Sequence, residues 1–182
     1  FSPDGRSLAV HLVGAEERFE IWLLGLSGGQ EPRVFLREST SVRFPAFSPD
    51  GRFVSYLQGE GEATGNIAFG NTMMTRFPEA QGRWQISTRG GDFGTWSPDG
   101  RRFYYIARAE RDAVARHLME VDVRTSPEVS LGVPRPLFDL QALGLGNNYA
   151  VAPGGHDLAA ALGNRDLDER VVKTIDRVGI GY

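Results

Sequence analysis

The sequence predicts an all-β fold, a β-propeller of about four consecutive antiparallel blades belonging to an incomplete ring. Three observations lead there. The string Phe1-Ser2-Pro3-Asp4-Gly5-Arg6 returns as Phe47-Ser48-Pro49-Asp50-Gly51-Arg52 and, with tryptophan leading, as Trp96-Ser97-Pro98-Asp99-Gly100-Arg101. The copies begin at residues 1, 47 and 96, and a degenerate copy, Val151-Ala152-Pro153-Gly154-Gly155, begins at 151. Steps of 46, 49 and 55 residues suit propeller blades with several strands each. Aligned on the glycine, the copies then share one phase: Leu8, Val54, Phe103 and Leu158 in one column, and Val10, Tyr56, Tyr105 and Ala160 two residues further on. That alternation is what a strand needs to bury a face.

The elements follow from these anchors. Serine, proline and glycine each suit their place in a tight turn, so each motif marks a hairpin corner between an entering and a leaving strand. The innermost strands lead into the corners at 42–47, 93–96 and 147–151. In the first repeat 19–26 and 33–36 read as the third and fourth strands; in the second, 66–74 and 83–87; in the third, 118–123 and 136–138. The face of the leaving strand that carries Ala9, Ser55, Tyr104 and Ala159 is also rather apolar, as suits a blade sandwiched between neighbours. The best candidate for helix is Ala107 to His117, rich in alanine and arginine.

Composition narrows the class. Glycine at 23 of 182 residues exceeds the usual ~7% and fits a turn-rich folded chain. The net charge of −3, without a long run of either sign, gives no footprint for nucleic acid and no polybasic membrane patch. No apolar run reaches the ~18 residues of a membrane helix. With no cysteine, disulfides and thiolate metal sites are excluded. The chain starts inside a motif, so 1–182 reads as one partial propeller from a longer polypeptide.

The aromatic-Ser-Pro-Asp-Gly-Arg repeats resemble the WD40-like (PD40) blades of TolB-type β-propellers. Two further strings, "FPEAQGRWQISTRGGDFGTWSPDGRRFYYIA" at 77–107 and "GVPRPLFDL" at 132–140, resemble propeller regions C-terminal to the kinase domain of bacterial serine/threonine kinases. The resemblance implies a signalling protein placed outside the cytoplasm. Such rings close with about six blades, so missing blades or a second chain would have to cover the exposed edges of these four. The same scaffold serves regulators, peptidases and envelope transport proteins, so it fixes no activity.

The catalytic patterns are better read as structure. Gly25-Leu26-Ser27-Gly28-Gly29 matches a nucleophile elbow, but a strand-like stretch follows where a helix is required. It reads as a hairpin turn. Asn164-Arg165-Asp166-Leu167-Asp168 spaces oxygen ligands as a calcium loop does, yet Glu169 and Ile175 stand at the glycine and glutamate positions. His11, His117 and His156 share no metal-binding spacing. Asp4, Asp50 and Asp99 recur in one turn context and are expected to hold its backbone N–H groups. No catalytic residue, metal or cofactor is expected.

The leading expectation is a non-catalytic module that binds a protein, a peptide or a small envelope ligand. The runner-up is the propeller of a prolyl-oligopeptidase-type serine peptidase, and a third reading is a TolB-like envelope accessory protein. Binding is expected on the face opposite the corners, where the loops differ in length and sequence. The residues expected there are Glu16, Glu17, Arg18, Arg108, Arg111, Asn147, Asn148 and Tyr149.

Overall fold

Every regular element among the described residues is a β-strand, and neighbouring strands run antiparallel. The computed structural model describes residues 1–14, 19–28, 30–59, 70–108, 116–142, 145–151, 158–162 and 173–175. The chain divides into two compact units, Phe1–Gly94 and Thr95–Tyr182.

In the first unit β1 (Ser7–Val13), β2 (Phe19–Gly25) and β3 (Arg33–Leu36) form a three-stranded sheet in that order. Next come β4 (Val42–Phe47), β5 (Phe53–Gly59), β6 (Gly70–Arg76) and β7 (Trp84–Gln85), a four-stranded sheet also in chain order. The two sheets pack through Ile21, Leu23, Phe35, Leu36, Val42, Val54 and Tyr56, all buried. Phe77 closes this core, its ring 5.8 Å from Phe35 and 5.1 Å from Phe47. Five residues in a row, Phe53 to Leu57, are buried, so β5 is covered on both faces as a strand inside a stacked blade must be.

The third sheet starts with β8 (Asp92–Trp96), at the division between the units, and continues with β9 (Arg102–Arg108) and β10 (Arg116–Arg124). Two short outer strands, β11 (Ser130–Leu131) and β12 (Arg135–Asp139), both pair with β10. Phe103, Tyr104, Tyr105 and Ile106 on β9 and Leu118, Val121 and Val123 on β10 fill its core. The fourth sheet holds β13 (Leu145–Val151), β14 (Leu158–Leu162) and β15 (Lys173–Ile175).

The expected bounds of β3 and β4 are met to the residue. The helix expected over Ala107 to His117 is corrected at both ends: Ala107 and Arg108 belong to β9, Arg116 and His117 to β10, and Arg116 pairs with Arg108. Alanine and arginine are good helix formers, but intrinsic propensity is a weak signal that strand pairing overrides. Here the apolar alternation on both sides extends the hairpin through them. Residues 109–115 lie outside the described residues.

One feature of the innermost strands is absent from the sequence expectations. Phe44 and Phe93, each three residues before its motif aromatic, have φ of 54° and 52°. A left-handed phenylalanine costs roughly 1–2 kcal/mol. The pairing of β4 with β5 shifts register between Arg43 and Ala46, so the strand bulges there. The pairing of β13 with β14 shifts between Leu145 and Tyr149, around Asn148 in the same column.

Candidate functional site

The three motif corners have one construction. Ser2, Ser48 and Ser97 are buried, and each hydroxyl donates to the aspartate two residues on, Asp4, Asp50 or Asp99, at 2.6 Å. The same hydroxyls accept from the N–H of Ser7, Phe53 and Arg102 at 2.9, 3.0 and 2.9 Å. The carboxylates accept from the N–H of Arg6, Arg52 and Arg101 at 3.0, 3.1 and 3.0 Å. Gly5, Gly51 and Gly100, at φ 69°, 69° and 68°, donate to the carbonyls of Ser2, Ser48 and Ser97 at 2.9 Å each. The aspartates are therefore structural.

The serine hydroxyl and then the backbone N–H hold the carboxyls of Asp4 and Asp99 below their ordinary value. For Asp50, burial pushes the other way, but Ser48, the Arg52 N–H and the Arg52 side chain outweigh it. A depressed folded-state pKa adds stability above the unfolded value, ~3.9, that is lost as pH falls through the folded one. Acid unfolding should therefore steepen below about pH 4. Asp99→Asn, which keeps the accepting oxygen, should flatten the pH dependence, and Asp99→Ala should weaken the corner at every pH. Chemical denaturation of the three proteins between pH 3 and 7 checks this.

Of the residues expected on the binding face, Glu16, Glu17, Arg18 and Arg111 lie outside the described residues. Arg108, Asn147 and Asn148 are strand positions of β9 and β13 whose side chains also lie outside them. Tyr149 is partly buried on β13, and burial, then the neighbouring Tyr104, pushes its phenol well above its ordinary value. Ser27 sits in the connection between antiparallel β2 and β3, with no helix following. His117 pairs with Ala107 and Asp139 within its sheet; His156 and the 164–168 segment lie outside the described residues. Among the described residues no group of three or more His, Cys, Asp or Glu could hold a metal ion, and no helix is long and apolar enough to cross a membrane.

The first unit nevertheless builds a distinctive patch at the end of its sheets remote from the corners. His11 on β1, Phe19 at the start of β2, and Arg43 and Phe44 near the start of β4 converge there. The Phe19 N–H donates to the Ser41 hydroxyl at 3.3 Å, and the Ser41 carbonyl accepts from Gly59 at 2.8 Å, which ties the first hairpin to the second. The Arg43 guanidinium lies 3.9 Å from the Phe19 ring centre. The Phe44 N–H donates to His11 Nδ1 at 3.4 Å, and the imidazole meets the rings of Phe19 and Phe44 edge-on at 5.4 and 5.2 Å. Phe93 stacks on Phe44 at 6.0 Å. Burial, then the Arg43 charge, lowers the His11 pKa and leaves the ring neutral.

Leu12, Val13 and Phe44 are 45%, 60% and 36% exposed at this end. The sequence reading missed the patch, although a signal existed: in the alignment on the corner glycine, His11 falls in the column of buried Leu57 and Ile106. At the corner end, a cleft of about 440 Å³ lies between Ser7, Leu23, Gly25, Gln30, Glu31, Arg33 and Phe77.

Repeated corners, blade-length spacing and antiparallel sheets in chain order define consecutive blades of a β-propeller. Comparison with solved structures supports this. TolB from Acinetobacter baumannii superposes with a TM-score of 0.62 at 16% identity, over 96% of this chain and 41% of that one. A TolB-type protein from Agrobacterium tumefaciens gives 0.60 at 18%, over 76% and 47%. The β-propeller domain of the trilobed protease from Pyrococcus furiosus, described as having an open velcro topology, gives 0.51 at 15%, over 91% and 48%. The chain thus spans less than half the length of each. At these identities the likeness is one of fold. No family model and no curated protein matches the sequence.

Proposed function

We propose that the chain is a non-catalytic binding module that recognises a protein or peptide through the blade ends remote from the corners. One observation carries the reading. The corner carboxylates and hydroxyls are consumed by their own turns, whereas the opposite end of the first unit exposes Leu12, Val13 and Phe44 beside a buried cation. Contiguous exposed apolar patches, of about a few hundred Å² or more, mark interaction surfaces. The resemblance of 77–107 and 132–140 to kinase-associated propellers supports a sensor in a bacterial signalling protein, outside the cytoplasm. An envelope role of the TolB kind would use the same surface.

The test is partner capture by the immobilised chain. Charge reversal at Arg108 and Arg111 should weaken capture without lowering the melting temperature. Reversal at Arg6 and Arg101, on the corners, should leave capture unchanged. Loss confined to the corner variants would put the surface on the wrong face.

A further inference from the structure

We propose that the cleft at the corner end of the first unit binds a small aromatic carboxylate, its acid group on the Arg33 guanidinium and its ring over Leu23 and Phe77. The site lies apart from the surface proposed above and does not depend on it. The cleft holds about 440 Å³, within the range of small-molecule sites. Gln30, Glu31 and Arg33 at its rim are exposed, so a ligand can enter.

The cleft exists because this blade lacks side chains that the other blades carry. The corner serines bond the N–H of Ser7, Phe53 and Arg102, which makes these three equivalent. Across the hairpin they pair with Gly25, Arg76 and Asp122. Two residues earlier on the same strands, Leu23, Met74 and Glu120 pair with Arg33, Trp84 and Arg135. Residues paired in this way share a face of their sheet.

The second sheet fills the place with a ring. Phe53 is 0% exposed, meets Trp84 edge-on at 5.9 Å and lies under the Arg76 guanidinium at 5.5 Å. The third sheet fills it with charge, where Arg135 donates to Glu120 at 3.0 and 2.5 Å and to Asp122 at 3.2 Å. In the first sheet Ser7 and Gly25 stand in the places of Phe53 and Arg76, and Leu23 and Gly25 in those of Glu120 and Asp122. Arg33 thus keeps the cation of Arg135, while the two acidic places beside it hold leucine and glycine. Gln30 lies against Gly25, where an added Cβ would meet the Gln30 Cβ at 2.7 Å, and it walls the cleft without filling it.

A ligand that fits combines the two fillings, a ring in place of Phe53 and a carboxylate in place of Glu120. A guanidinium takes a carboxylate through two parallel hydrogen bonds, and Leu23 and Phe77 give the ring an apolar bed. Glu31, also at the rim, selects against ligands with more than one acid group.

Calorimetric titration of the full chain with phenylacetate, phenylacetamide, acetate and benzylammonium tests the site. Phenylacetate should bind roughly tenfold to hundredfold more tightly than its amide, the range for hydrogen bonds to a charged group. Acetate, which lacks the ring, should bind at least about tenfold more weakly than phenylacetate. Arg33→Met should bring acid and amide to equal affinity at an unchanged melting temperature, since Arg33 is exposed. Ser7→Phe supplies the ring that Phe53 gives the second sheet and should abolish binding. Arg89→Met, at an exposed arginine outside the cleft, should leave binding unchanged.

Should Ser7→Phe not fold, Ser7→Leu narrows the same space and should still weaken phenylacetate. No binding of phenylacetate, equal affinity for acid and amide, acetate as tight as phenylacetate, or tighter binding of benzylammonium would overturn the proposal. So would an undiminished acid preference in folded Arg33→Met, or undiminished binding in a folded Ser7 variant. Partner capture sensitive to Arg108 and Arg111 reports on the other surface and is independent of each of these results.

Discussion

Phe103→Ala should destabilise the chain by about 3–5 kcal/mol, the range for emptying a fully buried aromatic site. Phe103 is 0% exposed, and the Trp96 ring meets it edge-on at 5.1 Å. It also follows directly on Arg102, whose N–H closes the third corner, so the chain there has little freedom to collapse into the void. Single domains hold only ~5–15 kcal/mol in total, so the variant should be partly unfolded at temperatures where the parent is intact. Urea denaturation followed by tryptophan fluorescence measures the loss. Val133→Ala, at a residue 88% exposed, is the control and should stay within about 0.5 kcal/mol. If the two losses were alike, Phe103 would not be part of a packed blade.

Arg135→Ala is expected to cost about 2–3 kcal/mol, less than the full penalty for breaking a buried pair because Arg135 is half in solvent. Its partner Glu120 is 2% exposed, and the ion pair runs from β12 to the central strand β10. Arg102 also lies 3.8 Å from Glu120, which moderates the loss. The expectation is sharpest as a double-mutant cycle. In a Glu120→Gln background, removal of Arg135 should cost markedly less, since no charge is left to strand. Equal costs in both backgrounds would show that Arg135 acts through packing alone.

The blades were legible because their signals are local. Ser48, Pro49, Asp50 and Gly51 specify a turn within four residues, and Val54 and Tyr56 repeat the phase of Phe103 and Tyr105. Strands bordered by such turns, as β4 is, end where the sequence says. Legibility fails where a strand is defined by its partner. Ser130–Leu131 carries no strand signal of its own and becomes β11 because Val123 and Arg124 offer an edge.

The Arg43 patch was hidden for a related reason. It joins His11 and Phe19 of the first sheet to Phe44 of the second, and no local rule predicts left-handed backbone at a phenylalanine.

The corners also bear on how such a chain can grow or shrink by duplication. The serine and aspartate hydrogen bonds that close each corner reach no further than five residues, as from Ser48 to Phe53. A copied or deleted blade therefore carries its turn intact, and its neighbours need no compensating change there. The burden of exchange falls on side chains that cross between blades. Phe77 follows β6 yet packs on Phe35 of the preceding sheet. Blades should be interchangeable to the extent that they present a matching aromatic at that seam.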